Sequence, residues 1–182
     1  MTWPAAELLE TSRFTLEPLR LQHADEMVDV LGDEALYRFT GGQAPSLEVL
    51  RGRYARQVVG HSVSRDSGWL NWIVRSKASA QAIGFVQATL SGVGEHRRAE
   101  LAWVVAPAAQ GAGAATESAS AVRAWLNGSG IQRAGALIHP DNIASQRVAA
   151  HVGMHETSTM VDGEALWQTH LPRPSKGVSV QV

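Results

Sequence analysis

The sequence predicts an α+β or mixed α/β fold, not a regular doubly wound one, on three observations. Period-two alternation marks short strands, and helical spacing marks four longer segments. The elements run in the order β-α-α-β-β-β-α-β-α-β-β, with too many consecutive strands for a repeating βαβ unit. A length of 182 residues suits one domain with a sizeable core. That domain is expected over residues 1–171, followed by a flexible tail from Pro172 to Val182, where Pro172, Pro174 and Gly177 interrupt regular structure.

Phe14-Thr15-Leu16-Glu17 alternates apolar and polar residues and reads as the first strand, with Pro18 as its stop. Ala24, Met27, Val28 and Leu31 recur at helical spacing from Leu21 to Leu31, and Gly32 follows as the end. Ser46 is positioned to cap a second helix reaching about Val59, with Leu47, Leu50, Tyr54 and Val58 on one face. A polar loop, 60–68, leads to strands at Leu70–Val74 and Ala82–Leu90, joined as a hairpin by a turn around Ser76 to Ala80. Ala99–Ala106 is the next strand, ended by Pro107, which has no N–H to give to a ladder. Ala114–Leu126 forms a helix closed by Asn127-Gly128-Ser129-Gly130. Gly135–Ile138 is a short buried strand ended by His139-Pro140, and Asp141–His151 is a helix that stops at Gly153. Thr157–Val161 and Ala165–Thr169 flank an Asp162-Gly163 turn, a hairpin signal.

Composition narrows the function classes. A formal net charge of −1 gives no long-range field toward nucleic acid or an anionic membrane, although Arg51, Arg53 and Arg56 could form a local basic patch. The absence of cysteine excludes disulfides, thiolate metal sites and cysteine nucleophiles. The seven histidines lack metal-ligand spacing: His151 and His155 are four apart, but Gly153 intervenes, so no metal is expected. No apolar run reaches membrane-spanning length, and Met1-Thr2-Trp3-Pro4 lacks a signal-peptide start, so a cytoplasmic protein is expected.

The most informative stretch is Trp103-Val104-Val105-Ala106-Pro107-Ala108-Ala109-Gln110-Gly111-Ala112-Gly113-Ala114-Ala115-Thr116-Glu117. A strand runs into a loop of glycines and alanines, and the loop opens a helix. Small residues let the backbone approach an anion, and the free N–H groups of a helix start supply donors, so pyrophosphate is the natural guest. The blander alternative is a helix start that merely packs tightly. A Walker A loop would need Lys then Ser or Thr where Ala114-Ala115 stand. A dinucleotide fingerprint would need Gly or Ala at Thr116 and a carboxylate near Ile131–Arg133, and neither is present.

Gln110, Gly113 and Ala115 fill the fixed positions of the loop pattern Gln/Arg-x-x-Gly-x-Gly/Ala, and with them the chain resembles the GNAT superfamily of N-acetyltransferases. Ala115-Thr116-Glu117, the opening Leu9-Glu10-Thr11-Ser12-Arg13-Phe14-Thr15-Leu16 and the run Asn142-Ile143-Ala144-Ser145-Gln146-Arg147-Val148 up to Gly153-Met154 look like the RimJ/RimL branch. The resemblance covers roughly residues 9 to 170 in order. It implies a GNAT-like fold: a central mixed, mostly antiparallel twisted sheet, flanked by about four helices, with the strands near Val105 and Gly135–Ile138 splayed apart. It implies acetyl-CoA as co-substrate, its pantetheine paired with main-chain groups of Val104 and Val105. Its pyrophosphate would lie on the amides of Gly111, Ala112, Gly113, Ala114 and Ala115.

Asn142 and Ser145 match the family's next motif as cofactor contacts, and they equally fit a helix cap. Many relatives carry a tyrosine seven residues after this Asn as general acid; here Ala149 stands there, and Ser145 is the substitute implied by RimJ/RimL-like relatives. His151 is an alternative, although a late-helix histidine also serves the helix dipole. Glu100 matches the strand glutamate that some relatives use as base; the competing reading pairs it with Arg97, Arg98 or Arg133. At pH 7 an α-amine costs about 1 kcal/mol to deprotonate and a lysine about 4.6, so the need for a base depends on the acceptor. A backbone N–H near Val105 would stabilise the oxyanion. The acceptor pocket would be built by the two N-terminal helices and the loop after them, with Tyr37, Phe39, Trp69 and Trp72, and also Arg38 and His61, as candidate lining. The resemblance implies an amine acceptor, peptide or small molecule, and leaves a peptide N-terminus, an amino acid, a polyamine or an aminoglycoside open; many relatives form homodimers, for which an unpaired late strand would offer an edge, and the sequence reveals none. A CoA-binding sensor or interaction module with the same fold is the alternative function.

Overall fold

The computed structural model describes residues 2–169, so the expected tail from Pro172 to Val182 lies outside the described residues. The strands are β1 (Leu9–Glu10), β2 (Phe14–Pro18), β3 (Gly68–Ser76), β4 (Ala82–Ser91), β5 (Arg98–Val105), β6 (Arg133–Ile138), β7 (Met154–Val161) and β8 (Glu164–Thr169). The helices are α1 (Ala24–Val30), α2 (Leu47–Gln57), α3 (Ala114–Gly128) and α4 (Ile143–His151). The strands form one sheet in the order β1-β2-β3-β4-β5-β6-β8-β7. Every neighbouring pair is antiparallel except β5–β6, which is parallel and joined by the crossover helix α3. The expected mixed, mostly antiparallel sheet with four helices is thus observed.

Alternation along β3 divides the core. Leu70, Trp72 and Val74 face one side with Ala114, Val122 and Leu126 of α3 and Ala149 of α4. Ile73 faces the other with Ala24 and Met27 of α1, Leu50 and Tyr54 of α2, and Ala82. The register of α3 follows from its apolar stripe, in which Ala114, Ser118, Ala119, Val122 and Leu126 are buried at helical spacing. Packing that stripe on the sheet fixes the N-terminus of α3 just beyond the end of β5.

Local signals explain most element ends. Ser46 caps α2, its side chain accepting from the Val49 N–H at 3.3 Å. Asp162 and Gly163 both adopt positive φ, 48° and 86°, as a tight β7–β8 hairpin requires. Three elements differ from the expectation. The opening stretch is two strands, because Thr11 bonds back to Phe14 and turns the chain at Ser12-Arg13. The helix expected from Leu21 begins as a 3-10 turn over Leu21–His23 and becomes α-helical only at Ala24. The last strand pair inserts β8 between β6 and β7, so that β7 is the edge of the sheet among the described residues, an edge that the sequence does not reveal.

One glycine sets how closely the sheet packs beside β5. A Cβ on Gly84 would stand 2.1 Å from the Val104 carbonyl oxygen and 2.9 Å from the Val105 Cα, both backbone atoms. Gly84→Ala is therefore expected to destabilise the chain by about 1–3 kcal/mol in urea unfolding, through displacement of the end of β5. An unchanged midpoint would contradict the close approach.

Candidate active site

The parallel ladder between β5 and β6 holds only Arg98↔Arg133, Ala99↔Ala134 and Glu100↔Gly135. Beyond it β5 continues to Val105 on β4 alone, while β6 continues to Ile138 on β8 alone. Two neighbouring strands therefore part at Glu100 and Gly135, and a wedge opens along about 17 Å of β5. No strand pairs with the wedge side of β5 past Glu100 among the described residues. At the mouth, the Val105 carbonyl accepts from Gln110 Nε2 at 2.8 Å, so Gln110 ties the strand end to the loop that follows.

That loop is shaped by two left-handed glycines. After a 3-10 turn at Pro107–Ala109, Gly111 has φ 79° and Gly113 φ 78°, and α3 starts at Ala114. Gly113 is the N-cap, and no side chain of the described residues caps the helix. The first-turn N–H groups of α3 thus lack side-chain partners at the positive end of a fifteen-residue helix, beside exposed Gly111, Ala112 and Gly113. A side chain at Gly113 would meet only the Arg13 guanidinium, at 3.4 Å, so the constraint there is backbone conformation and not space.

A brace that sequence reading missed holds the loop from the far side of the chain. Arg13 donates from Nε to Glu117 at 2.7 Å and from its other guanidinium nitrogens to the Ala112 carbonyl at 2.8 Å and to Glu117 at 2.7 Å. Glu117, in the first turn of α3, also accepts from the Arg13 N–H at 3.1 Å and from Ser12 Oγ at 3.0 Å. Burial would raise the Glu117 carboxyl, but hydrogen bonds from Thr11, Arg13 and Ser12 outweigh it and hold the group down at about 2. Both segments were singled out by their resemblance, but their contact spans 104 residues and no local pattern reports it.

The proposed chemical residues divide into two groups. Glu100 stands at the closed end of the wedge, exposed and opposite Thr89, on the face shared with Ala102. It pairs with none of its basic neighbours: Arg97 donates to the Thr2 carbonyl and Arg98 to Ser91 Oγ. Ser145 lies in the first turn of α4, the helix that follows the other end of β6. Asn142 caps that helix, its side chain accepting from the Ser145 N–H at 3.1 Å, and the Ser145 hydroxyl has no partner among the described residues. Ala149 is fully buried in the core, and His151 is exposed in the last turn of α4.

The acceptor candidates separate likewise. Trp69 is half-buried and lines a cleft of about 270 Å³ with Arg53, Arg56 and Gln57 of α2 and with Asn71, Gln87 and Thr89 of the sheet. Asn71, Gln87 and Thr89 gave no sequence signal. A second cleft, of about 360 Å³, shares Gln57, Trp69 and Asn71 with the first and reaches His61. Tyr37 is half-buried with its hydroxyl donating to the Leu31 carbonyl at 2.8 Å. Phe39 lies 5.5 Å from the His139 ring just after β6, under the Arg38 guanidinium. Trp72 requires a correction: it is fully buried on the α3 side of the sheet, with its N–H donating to the Glu7 carbonyl at 2.7 Å, and belongs to the core. Strand alternation alone places it opposite to Trp69 and Ile73.

The Arg13–Glu117 brace carries a pH signature. A carboxyl lowered from 4.5 to about 2 on folding contributes stability that is full above pH 4.5 and is lost as pH falls toward 2. Glu117→Gln should therefore lower the unfolding midpoint at pH 6, with the gap to the unmodified chain narrowing between pH 4.5 and 2. A gap that stays constant over that range would contradict the brace.

The model of the Acetyltransferase (GNAT) domain matches residues 13–155. No curated protein matches the chain in sequence. Among solved structures, one from Bordetella pertussis named for the GNAT acetyltransferase family is similar at 26% identity and TM-score 0.65, covering 89% of this chain and 97% of that one. The RimL ribosomal L7/L12 α-N-protein acetyltransferase in complex with coenzyme A shares the fold at TM-score 0.72 and 16% identity, over 89% of this chain and 97% of its own. An aminoglycoside acetyltransferase in complex with coenzyme A does so at TM-score 0.69 and 18% identity, over 85% and 92%. With a wedge, an uncapped helix start and a family match over most of its length, the chain belongs to the GNAT acetyltransferase family.

Proposed function

We propose that the chain transfers an acetyl group from acetyl-CoA to a primary amine, of a protein N-terminus or a small molecule, by direct attack in a ternary complex. The observation that carries this reading is the early end of the β5–β6 ladder, which opens a wedge leading to the uncapped start of α3. The residues fit the cofactor: the amides of Gly111 through Ala115 suit a pyrophosphate, and the main chain of Val104 and Val105 suits an extended pantetheine. When bound, acetyl-CoA supplies the activated acetyl thioester. The protein holds it in place, and much of the rate comes from that positioning.

Glu100 is the proposed base, accepting the amine proton directly or through water. Support comes from its exposure at the closed end of the wedge and its freedom from Arg97, Arg98 and Arg133. Ser145 is the proposed proton donor, with an otherwise unused hydroxyl. Asn142 serves as the helix cap that sets its position. Tyr37, Phe39 and Trp69 are the proposed acceptor-side aromatics. The RimJ/RimL-like reading rests on the opening Leu9–Leu16 and the Asn142–Val148 motif, with which the likeness to the RimL structure agrees in fold.

A second reading, a coenzyme A sensor or interaction module, is favoured by Ala149, a fully buried alanine where many relatives carry the acid tyrosine. Release of free thiol from acetyl-CoA across a panel of amines separates the two. Thermal stabilisation by coenzyme A without thiol release on any amine would establish the sensor. For the enzyme, Glu100→Gln should lower kcat by about a hundredfold on a lysine-like amine and by less on a weakly basic one, with KM for acetyl-CoA little changed. Equal rates for both chains on both amines would remove Glu100 from the chemistry.

A further inference from the structure

The cleft beside Glu100 has a one-signed lining. Arg53 and Arg56 of α2 line it with the side-chain amides of Gln57, Asn71 and Gln87, and no Asp or Glu lines it among the described residues. The adjoining cleft adds Arg65 and His61, again with no carboxylate in its lining among the described residues. The third arginine of this helix behaves differently: Arg51 is neutralised by Asp25 at 2.6 Å. Arg53 and Arg56 make no ion pair with any carboxylate among the described residues. Two uncompensated guanidiniums facing a concave, amide-lined floor form a fork for a carboxylate or phosphate.

The register connects this floor to the reacting end of the wedge. Thr89 and Gln87 line the cleft, and they stand directly opposite Glu100 and Ala102 in the antiparallel β4–β5 ladder. Directly opposed side chains share a sheet face. The cleft floor at Thr89 and Gln87, lined also by Arg53 and Arg56, is thus next to Glu100 on the same sheet face, within reach of the remaining atoms of an acceptor whose amine lies at Glu100.

We infer that the acceptor is an anionic amine, a molecule in which a carboxylate or phosphate accompanies the amine, with Arg53 and Arg56 taking the anion. This rests on the acetyltransferase reading and names its substrate class. Arg53 and Arg56 are specificity residues; they bind the anion and take no part in proton transfer.

The test measures thiol release from acetyl-CoA with matched amine pairs. One arm compares the peptides Ser-Glu-Glu and Ser-Gln-Gln, both C-terminally amidated; the other compares phosphoethanolamine with ethanolamine. The arms distinguish a peptide carboxylate from a small-molecule phosphate as the source of the anion. In at least one arm kcat/KM for the anionic member should exceed its neutral partner by roughly tenfold or more. The preference should shrink as salt screens it. Arg53→Gln with Arg56→Gln should reduce that preference about tenfold, and Arg53→Glu with Arg56→Glu should shift it toward a cationic amine such as agmatine. Turnover with no anionic preference in either arm overturns this inference alone. Absence of turnover on every amine, with coenzyme A still stabilising the protein, overturns the acetyltransferase reading and this inference with it.

Discussion

The arrangement depends on two parallel strands that stop pairing while both continue. β5 and β6 share three residue pairs and then diverge, each held by its other neighbour, β4 for one and β8 for the other. Main-chain donors and acceptors inside a protein are nearly always paired. A sheet can leave such a row open only where something else can occupy it. The wedge therefore offers an extended ligand the hydrogen bonds of a missing strand, at a place the flanking ladders keep rigid. Gly84 lets β4 approach the end of β5, and the buried stripe of α3 sets a helix start at the mouth.

The loop at that mouth is flexible by composition and held by its surroundings. Gly111 and Gly113 supply turns that other residues rarely adopt, and such residues by themselves leave a loop loosely ordered. Gln110 fixes one side through the Val105 carbonyl, and Arg13 fixes the other through Ala112 and Glu117. The helix start keeps its free N–H groups because the cap residue is glycine, with no side chain to occupy them. The acid in the first turn would weaken anion binding, but the Arg13 guanidinium offsets it. A comparable network, in which Arg75 joins Glu17 and Glu26 beside His23, ties β2, β3 and α1 on the other sheet face.

Local chemistry was readable in the sequence, and long-range geometry was not. Ser46, Pro107, Asp162-Gly163 and the stripe of α3 act within a few residues of themselves, so their elements were found close to their true limits. The glycine loop was legible for the same reason. The Arg13–Glu117 brace joins distant segments and leaves no periodic trace; Arg53 and Arg56 are legible as a local basic patch, but the strand residues that complete their cleft are not. Trp72 shows the limit of residue type: an aromatic ring suits a core and a pocket equally, and only the strand face decides. The splay of β5 and β6 came from family resemblance, because nothing in either strand's sequence states where its ladder ends.

Backbone amide signals of the isotope-labelled chain, followed during titration with coenzyme A and with NAD as control, test the wedge most directly. Saturable changes are expected first at Gly111 through Ala115 and along the open side of β5 from Leu101 to Val105, with none for NAD at the same concentrations. Coenzyme A that left those amides unmoved, or shifted a different surface, would contradict the wedge as its binding place.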